Sequence, residues 1–191
     1  LIAGIDYSMR SPSVCVTDHK DFTFENCYFL AMPSAKRLDS HYGNIEIIQN
    51  LGVTSNPTKR FQHLAAATCN FLVHHKVEKV LIEDYAFGGS GRVFQIGENG
   101  GVLKLFLLDF GIDVDLIAPT SLKKFATGKG NAKKQQMIEQ FESETGVDLW
   151  EHFCIKKGKG IPSPIDDIVD SYYLAKYKIE TLRTQENENG S

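Results

Sequence analysis

Three separated segments of this chain each bring carboxylates to the end of an apolar element. The opening run Leu1-Ile2-Ala3-Gly4-Ile5 stops at Asp6, and a second strand-like run, Lys79-Val80-Leu81-Ile82, stops at Glu83 and Asp84. A third group, Asp166, Asp167 and Asp170, opens an apolar stretch near the C-terminus. Such positions are where side chains leave a core and can meet ligands. A lone Asp after a strand only closes a turn, so it is the company of the other acids that points to chemistry. Gathered carboxylates repel one another unless cations bind among them, and hard oxygen donors favour Mg²⁺ or Mn²⁺. Two such ions, about 3.5–4 Å apart, can activate a water and stabilise the leaving oxygen of an in-line phosphodiester displacement.

Elements able to position these acids follow from the residue pattern. Leu1 to Asp6 reads as a strand buried on both faces, and Val14-Cys15-Val16-Thr17, after the polar turn, as its antiparallel partner. Asn26 to Ala31 is the expected third strand. The polar, turn-rich stretch that follows, with Pro33, Gly43, Gly52 and Pro57, reads as an insertion or long functional loop at about residues 32–58. Phe61, Leu64, Ala65, Thr68 and Leu72 recur at helical spacing over about 58–75, and the 79–84 strand then completes a crossover unit. Further on, the pattern predicts a helix over about 94–110 and a strand over 113–117. On that helix Leu103, Phe106, Leu107 and Phe110 share a core face, while Val102, Leu105 and Leu108 fall on another side. Three more helices are expected: 119–126 with Pro119 at its start, one capped by Asn131 and running to about 144, and one from Pro164 to about 184. Residues 146–162 show no clear pattern, and the apolar-free 185–191 is expected to be a mobile tail. The sum is one domain over 1–184 with a mixed α/β layout, three antiparallel strands preceding parallel ones.

On the last helix Asp167 and Asp170 are three apart and Asp166 and Asp170 four apart, so either pair shares a face and spacing alone leaves the choice open. Acids also suit a helix's first turn. The neighbouring Ile168, Val169, Tyr172, Tyr173 and Leu174 nevertheless mark a segment that packs into the core rather than standing in solvent.

Composition limits the alternatives. At 191 residues with 42% hydrophobic and 24% charged residues, the chain suits one well-buried domain, and no run is long enough for a transmembrane helix. No basic segment followed by a signal-type apolar run occurs near the first residue, so a cytoplasmic setting is expected. Cys15, Cys27, Cys69 and Cys154 are scattered without a Cys-x-x-Cys pair, which points away from zinc and from a disulfide framework. Net charge is -3, yet Lys123, Lys124, Lys129, Lys133 and Lys134 form a run free of acids, suited to the phosphate backbone of a nucleic acid. Tyr85 and Phe87, directly after the second acidic cluster, could stack on an opened base pair, or serve as ordinary loop aromatics.

Five motifs then stand in order: Gly4-Ile5-Asp6, Ile82-Glu83-Asp84, Gly97-Glu98-Asn99-Gly100-Gly101-Val102, the block from Ala118-Pro119-Thr120 through Thr127-x-x-Gly130-x-Ala132-x-Lys134, and Asp167-Ile168-Val169-Asp170-Ser171. Together they resemble RuvC-type Holliday junction resolvases. The resemblance implies an RNase H-like fold, two Mg²⁺ or Mn²⁺ ions per site, a homodimer, and paired nicking of four-way DNA. It assigns the metal-binding acids to Asp6, Glu83, Asp167 and Asp170 and makes Asp166 a neighbour. Tyr7-Ser8 stands where many bacterial members have Pro-Gly, and the 32–58 segment is longer than the bacterial pattern; both resemble phage-encoded members, which would act in the host cytoplasm. An RNase H or phage packaging nuclease could use the same acids, and a non-catalytic junction-binding module could keep the fold. An actin-like ATPase also carries Gly-x-Asp on its first strand, but would need further glycine-rich phosphate loops. Here Gly128-Lys129-Gly130 lacks the Ser or Thr of a P-loop.

Overall fold

The computed structural model describes residues 1–18, 20–34, 38–50, 56–84, 93–158 and 160–189. Its centre is a seven-stranded mixed sheet with helices on both faces. The first three strands, β1 (Ile2–Asp6), β2 (Ser13–Thr17) and β3 (Tyr28–Ala31), are antiparallel neighbours. Within the segment expected as a loop, β4 (His41–Tyr42) and β5 (Ile45–Ile47) form a hairpin about Gly43, whose φ of 57° lies in the left-handed region. β5 pairs parallel to β3 and buries Ile45 and Ile47. A three-residue alternation is too short to register as a strand in the sequence, so its sheet partner only becomes visible in the fold.

Helix α1 (Pro57–His74) starts at Asn56, whose side chain accepts from the N–H groups of Thr58 and Lys59. It leads into β6 (Lys79–Glu83), which runs parallel to β1, and after α2 (Val93–Asp109) the edge strand β7 (Asp113–Ile117) pairs parallel to β6. α3 (Pro119–Thr127) ends at Gly128 in the left-handed conformation. The next helix, α4 (Lys134–Thr145), is capped at Lys133 and not at Asn131, because Ala132 N–H donates to Lys129 O and keeps 129–132 in a turn. A short α5 (Leu149–His152) lies in the patternless stretch, tied to the hairpin through His152 Nε2 and Tyr42 O at 3.0 Å. The last helix, α6 (Ile165–Asn189), continues past the expected end at 184. Residues 185–189 lack an apolar face, but Gln and Glu favour a helix and neither Gly nor Pro interrupts them.

Strand alternation sorts the core into two layers. Ala3, Ile5, Val14, Val16, Leu30, Val80 and Ile82 pack against α1 and α2. Cys15, Phe29, Ala31 and Leu81 face the other way, onto Ile168, Val169, Tyr172, Leu174 and their neighbours from α6. On α2, Leu103 and Leu107 are buried, with Val102 and Phe106 packed partly against the core. Two expectations for this helix are corrected: Phe110 is exposed because it lies past the helix end, beside the Gly111 turn, and Val102 belongs to the packed side. Among the described residues no helix is long and apolar enough to cross a membrane.

Candidate active site

The period of two that builds the sheet also aims the acids. Gly4 faces α6, so Asp6, two residues on, faces the same way. In β6, Leu81 belongs to the α6-side layer, which puts Glu83 on that face as well. β1 and β6 are parallel neighbours with Ile5 opposite Ile82, so Asp6 and Glu83 emerge side by side at the same end of the sheet.

Gly4 decides how near α6 can come. A Cβ at this position would overlap the Ala175 amide nitrogen and the Ser171 carbonyl oxygen, so the helix backbone rests directly on β1. Ser13 and Ser171 hydroxyls, 3.0 Å apart and buried, fasten β2 to the same helix. That seat brings the first turns of α6, with Asp167 and Asp170, against the ends of β1 and β6.

Electrostatics register the convergence. Asp6 is held well above the ordinary carboxylate value by burial and then by the charges of Asp170, Asp167, Glu83 and Asp166. Burial, followed by Glu83, Asp166 and Asp167, pushes Asp170 up to about 8. Asp167 rises to about 6, through burial and the Asp166 charge, while the nearby Ser11 and Ser163 hydroxyls and the Lys134 charge pull it down. Glu83 is raised by burial, with Lys123 and Lys134 opposing. Asp6 and Asp170 are thus each raised in part by acids from other elements.

Lysines border the acids unevenly. Lys134 pairs with Asp166, which is buried at the base of α6. Lys123 is half-buried and near enough to Glu83 to lower its pKa, whereas Lys124, Lys129 and Lys133 are exposed along α3 and the turn that follows. Tyr85 and Phe87 lie outside the described residues. Ser11 and Ser163, whose hydroxyls lie near Asp167, had no signal in the sequence, since one sits in the β1–β2 turn and the other just before α6.

An open groove beside the acids is lined by Tyr7, Arg10, Ser11, Ser163, Asp166 and Asp167, among others. A second, narrower pocket opens between Asp6, Glu83 and the α2 residues Ile96, Gly100 and Leu103. A carboxylate cluster at the floor of a groove, rimmed by lysines, is arranged to act on a phosphate ester.

Comparison with known proteins identifies the family and the fold. The family model for crossover junction endodeoxyribonuclease RuvC matches residues 40–142, more than half the chain, a range that includes the β4–β5 hairpin. The RuvC of Caldicellulosiruptor saccharolyticus is 27% identical over 135 residues, 70% of this chain and 72% of that protein. That of Chlamydia muridarum is 25% identical over 181 residues, 90% of this chain and 97% of that protein. Thermus thermophilus RuvC superposes with a TM-score of 0.61 at 15% identity, covering 94% of this chain and 95% of that one. The same protein in complex with Holliday junction substrate gives 0.60 at 16% identity, covering 91% and 89%. At these identities the structural likeness shows the RNase H-like fold, and the family match carries the assignment. This chain belongs to the RuvC family of crossover junction endodeoxyribonucleases.

Proposed function

We propose that this protein resolves four-way DNA junctions by metal-dependent nicking, with Asp6, Glu83, Asp167 and Asp170 holding two Mg²⁺ or Mn²⁺ ions. One observation carries the reading: in a RuvC-family chain, four carboxylates from β1, β6 and α6 converge at the same end of the sheet, and the charges of the others help to raise Asp6 and Asp170. The donor set is all oxygen, which suits hard divalent cations. Among the described residues no group of three or more His, Cys, Asp and Glu side chains is already drawn in to metal-holding distance. Uncompensated carboxylates repel, so an ion is what would draw them in. When bound, the ions would polarise the scissile phosphate and lower the pKa of the attacking water.

The protein's part is positioning. Asp6 and Glu83 sit at the ends of paired strands, while Asp167 and Asp170 come from a helix seated directly on β1. Lys123 and Lys134 put positive charge beside the acids, and Lys124, Lys129 and Lys133 extend it outward along a path for the phosphate backbone. A homodimer through the exposed side of α2 would give two such sites for two strands.

The test is cleavage of an immobile four-way junction with mapped nick positions, beside linear duplex and RNA/DNA hybrid. Symmetric nicks in opposing strands of the junction, with the other substrates left whole, are the expected result. Equal cutting of linear duplex or of the hybrid would move the reading to a packaging nuclease or an RNase H.

A further inference from the structure

Asp166 and Asp167 are adjacent, both buried, and held by opposite kinds of partner. Asp166 is paired with the Lys134 ammonium. Asp167 is held by a hydroxyl: Ser163 Oγ donates to its Oδ2 at 3.0 Å. The Ser163 hydroxyl, its one proton given to Asp167, accepts in turn from Ser11 Oγ, 152 residues away in sequence. Ser11 is fixed in turn, being 4% exposed with its N–H bound to Ser8 Oγ at 3.0 Å.

The difference in partner matters for a cation. A carboxylate paired with an ammonium has its charge neutralised and must break that pair before it can take up metal. One held by a neutral hydroxyl keeps its charge, and its two oxygens accept about four hydrogen bonds or metal contacts, so one hydroxyl leaves room. We propose that Ser11 and Ser163 are positioning residues that pre-aim the Asp167 carboxylate for a divalent cation while Lys134 withholds Asp166 from the same role. The inference rests on Asp167 being a metal ligand.

Calorimetric titration of the DNA-free protein with Mn²⁺ tests it, using wild type, Ser163→Ala, Ser163→Thr, the Ser11→Ala/Ser163→Ala pair and Asp167→Asn. Outer partners of metal ligands are worth about 10- to 100-fold in affinity, so Ser163→Ala should weaken Mn²⁺ binding about 10-fold and the pair further. Ser163→Thr, which keeps a hydroxyl, should restore affinity to within about 3-fold of wild type. Thermal melts without metal monitor folding; if the buried Ser11→Ala change prevents folding, the half-buried Ser163 decides the matter by itself. Unchanged Mn²⁺ affinity in Ser163→Ala, with binding lost in Asp167→Asn, would sink the serine proposal and leave the ligand set standing. Unchanged affinity in Asp167→Asn would overturn both.

Discussion

At the scale of single residues, the site depends on negative charges that are unfavourable together until a cation joins them. Asp6→Asn, Glu83→Gln, Asp167→Asn and Asp170→Asn should each lower junction cleavage by at least about 100-fold, while junction binding survives because the lysines proposed to hold the phosphates are untouched. Asp166→Asn should stay within about 10-fold of wild type, since its partner is Lys134. Gel assays of nicking and binding on one junction check both. Full cleavage by Asp6→Asn or Glu83→Gln would remove the metal-site reading, and an inactive Asp166→Asn beside an active Asp167→Asn would reverse the choice on α6. The same charges set a pH dependence. Folding raises Asp170 from 3.8 to about 8 and Asp167 from 3.8 to about 6. Between those values the folded protein binds more protons than the unfolded chain, so the stability of the metal-free protein falls as pH rises through this window. Melting in EDTA should therefore occur at lower temperature at pH 8 than at pH 5, ~2–4 °C per kcal/mol lost, and Mg²⁺ should reverse the loss at pH 8. A metal-free protein that melts higher at pH 8 would contradict the shifts. The acids could be singled out in the sequence because their chemistry belongs to the residue type, and because Asp6 and Glu83 end apolar runs while Asp167 and Asp170 open one. The serines were not: a hydroxyl announces nothing until the fold brings Ser11 to Ser163.

At the scale of elements, the seat of α6 on β1 is critical, and it turns on Gly4. Gly4→Ala would drive a methyl group into α6 backbone, which cannot yield as a flexible side chain does. Overpacking of this kind costs about 1–3 kcal/mol or more, so the variant should melt well below wild type. Any folded fraction should cleave poorly with all four acids intact, because α6 would stand off from β1. A Gly4→Ala protein with wild-type melting and cleavage would show that the helix does not need this closeness. The basic elements carry a separate expectation. Replacing Lys123, Lys124 and Lys134 with Ala should weaken junction binding and flatten its dependence on salt, by about 0.9 in the logarithmic slope for each phosphate no longer neutralised. An unchanged slope would return these lysines to a solvated face. Short apolar runs bounded by turns made β1, β2 and β6 readable from sequence, and helical spacing and a proline start did the same for α1 and α6. Where the fold departs from that reading, the information is non-local: β5 is a strand through pairing with β3, β4 through pairing with β5, and α4 starts at Lys134 because a turn occupies 129–132.

At the scale of the whole molecule, α2 presents more apolar surface than its own protomer covers. Leu105 and Leu108 occupy its outward side, as their spacing predicts, and they are 56% and 74% exposed, with Phe94 at 85% on the same stripe. Gly101 lies between them, and a Cβ built on it or on Gly97 would meet nothing within 4 Å. Neither glycine is therefore needed for packing inside the protomer, although each costs a helix about 1 kcal/mol relative to Ala. A second copy of α2 laid along this stripe would use both features, since the bulky residues would be covered and the glycines would let two backbones come close. Two-fold pairing of this kind is self-complementary and sets two active sites in fixed relation, as paired nicking of a four-way junction requires. Gly101→Ala then has opposite effects on the two species. It should stabilise an isolated protomer by about 0.5–1 kcal/mol through helix propensity and weaken the dimer by crowding its centre. Leu105→Glu and Leu108→Glu should give monomers that nick one strand at a time, or not at all, with the metal site intact. Light scattering of each variant, run beside junction cleavage that scores both strands, measures assembly and pairing together. A wild-type protein that stays monomeric both free and on a junction, yet nicks opposing strands in register, would rule out the dimer. Dimeric Leu105→Glu and Leu108→Glu proteins would place its interface elsewhere.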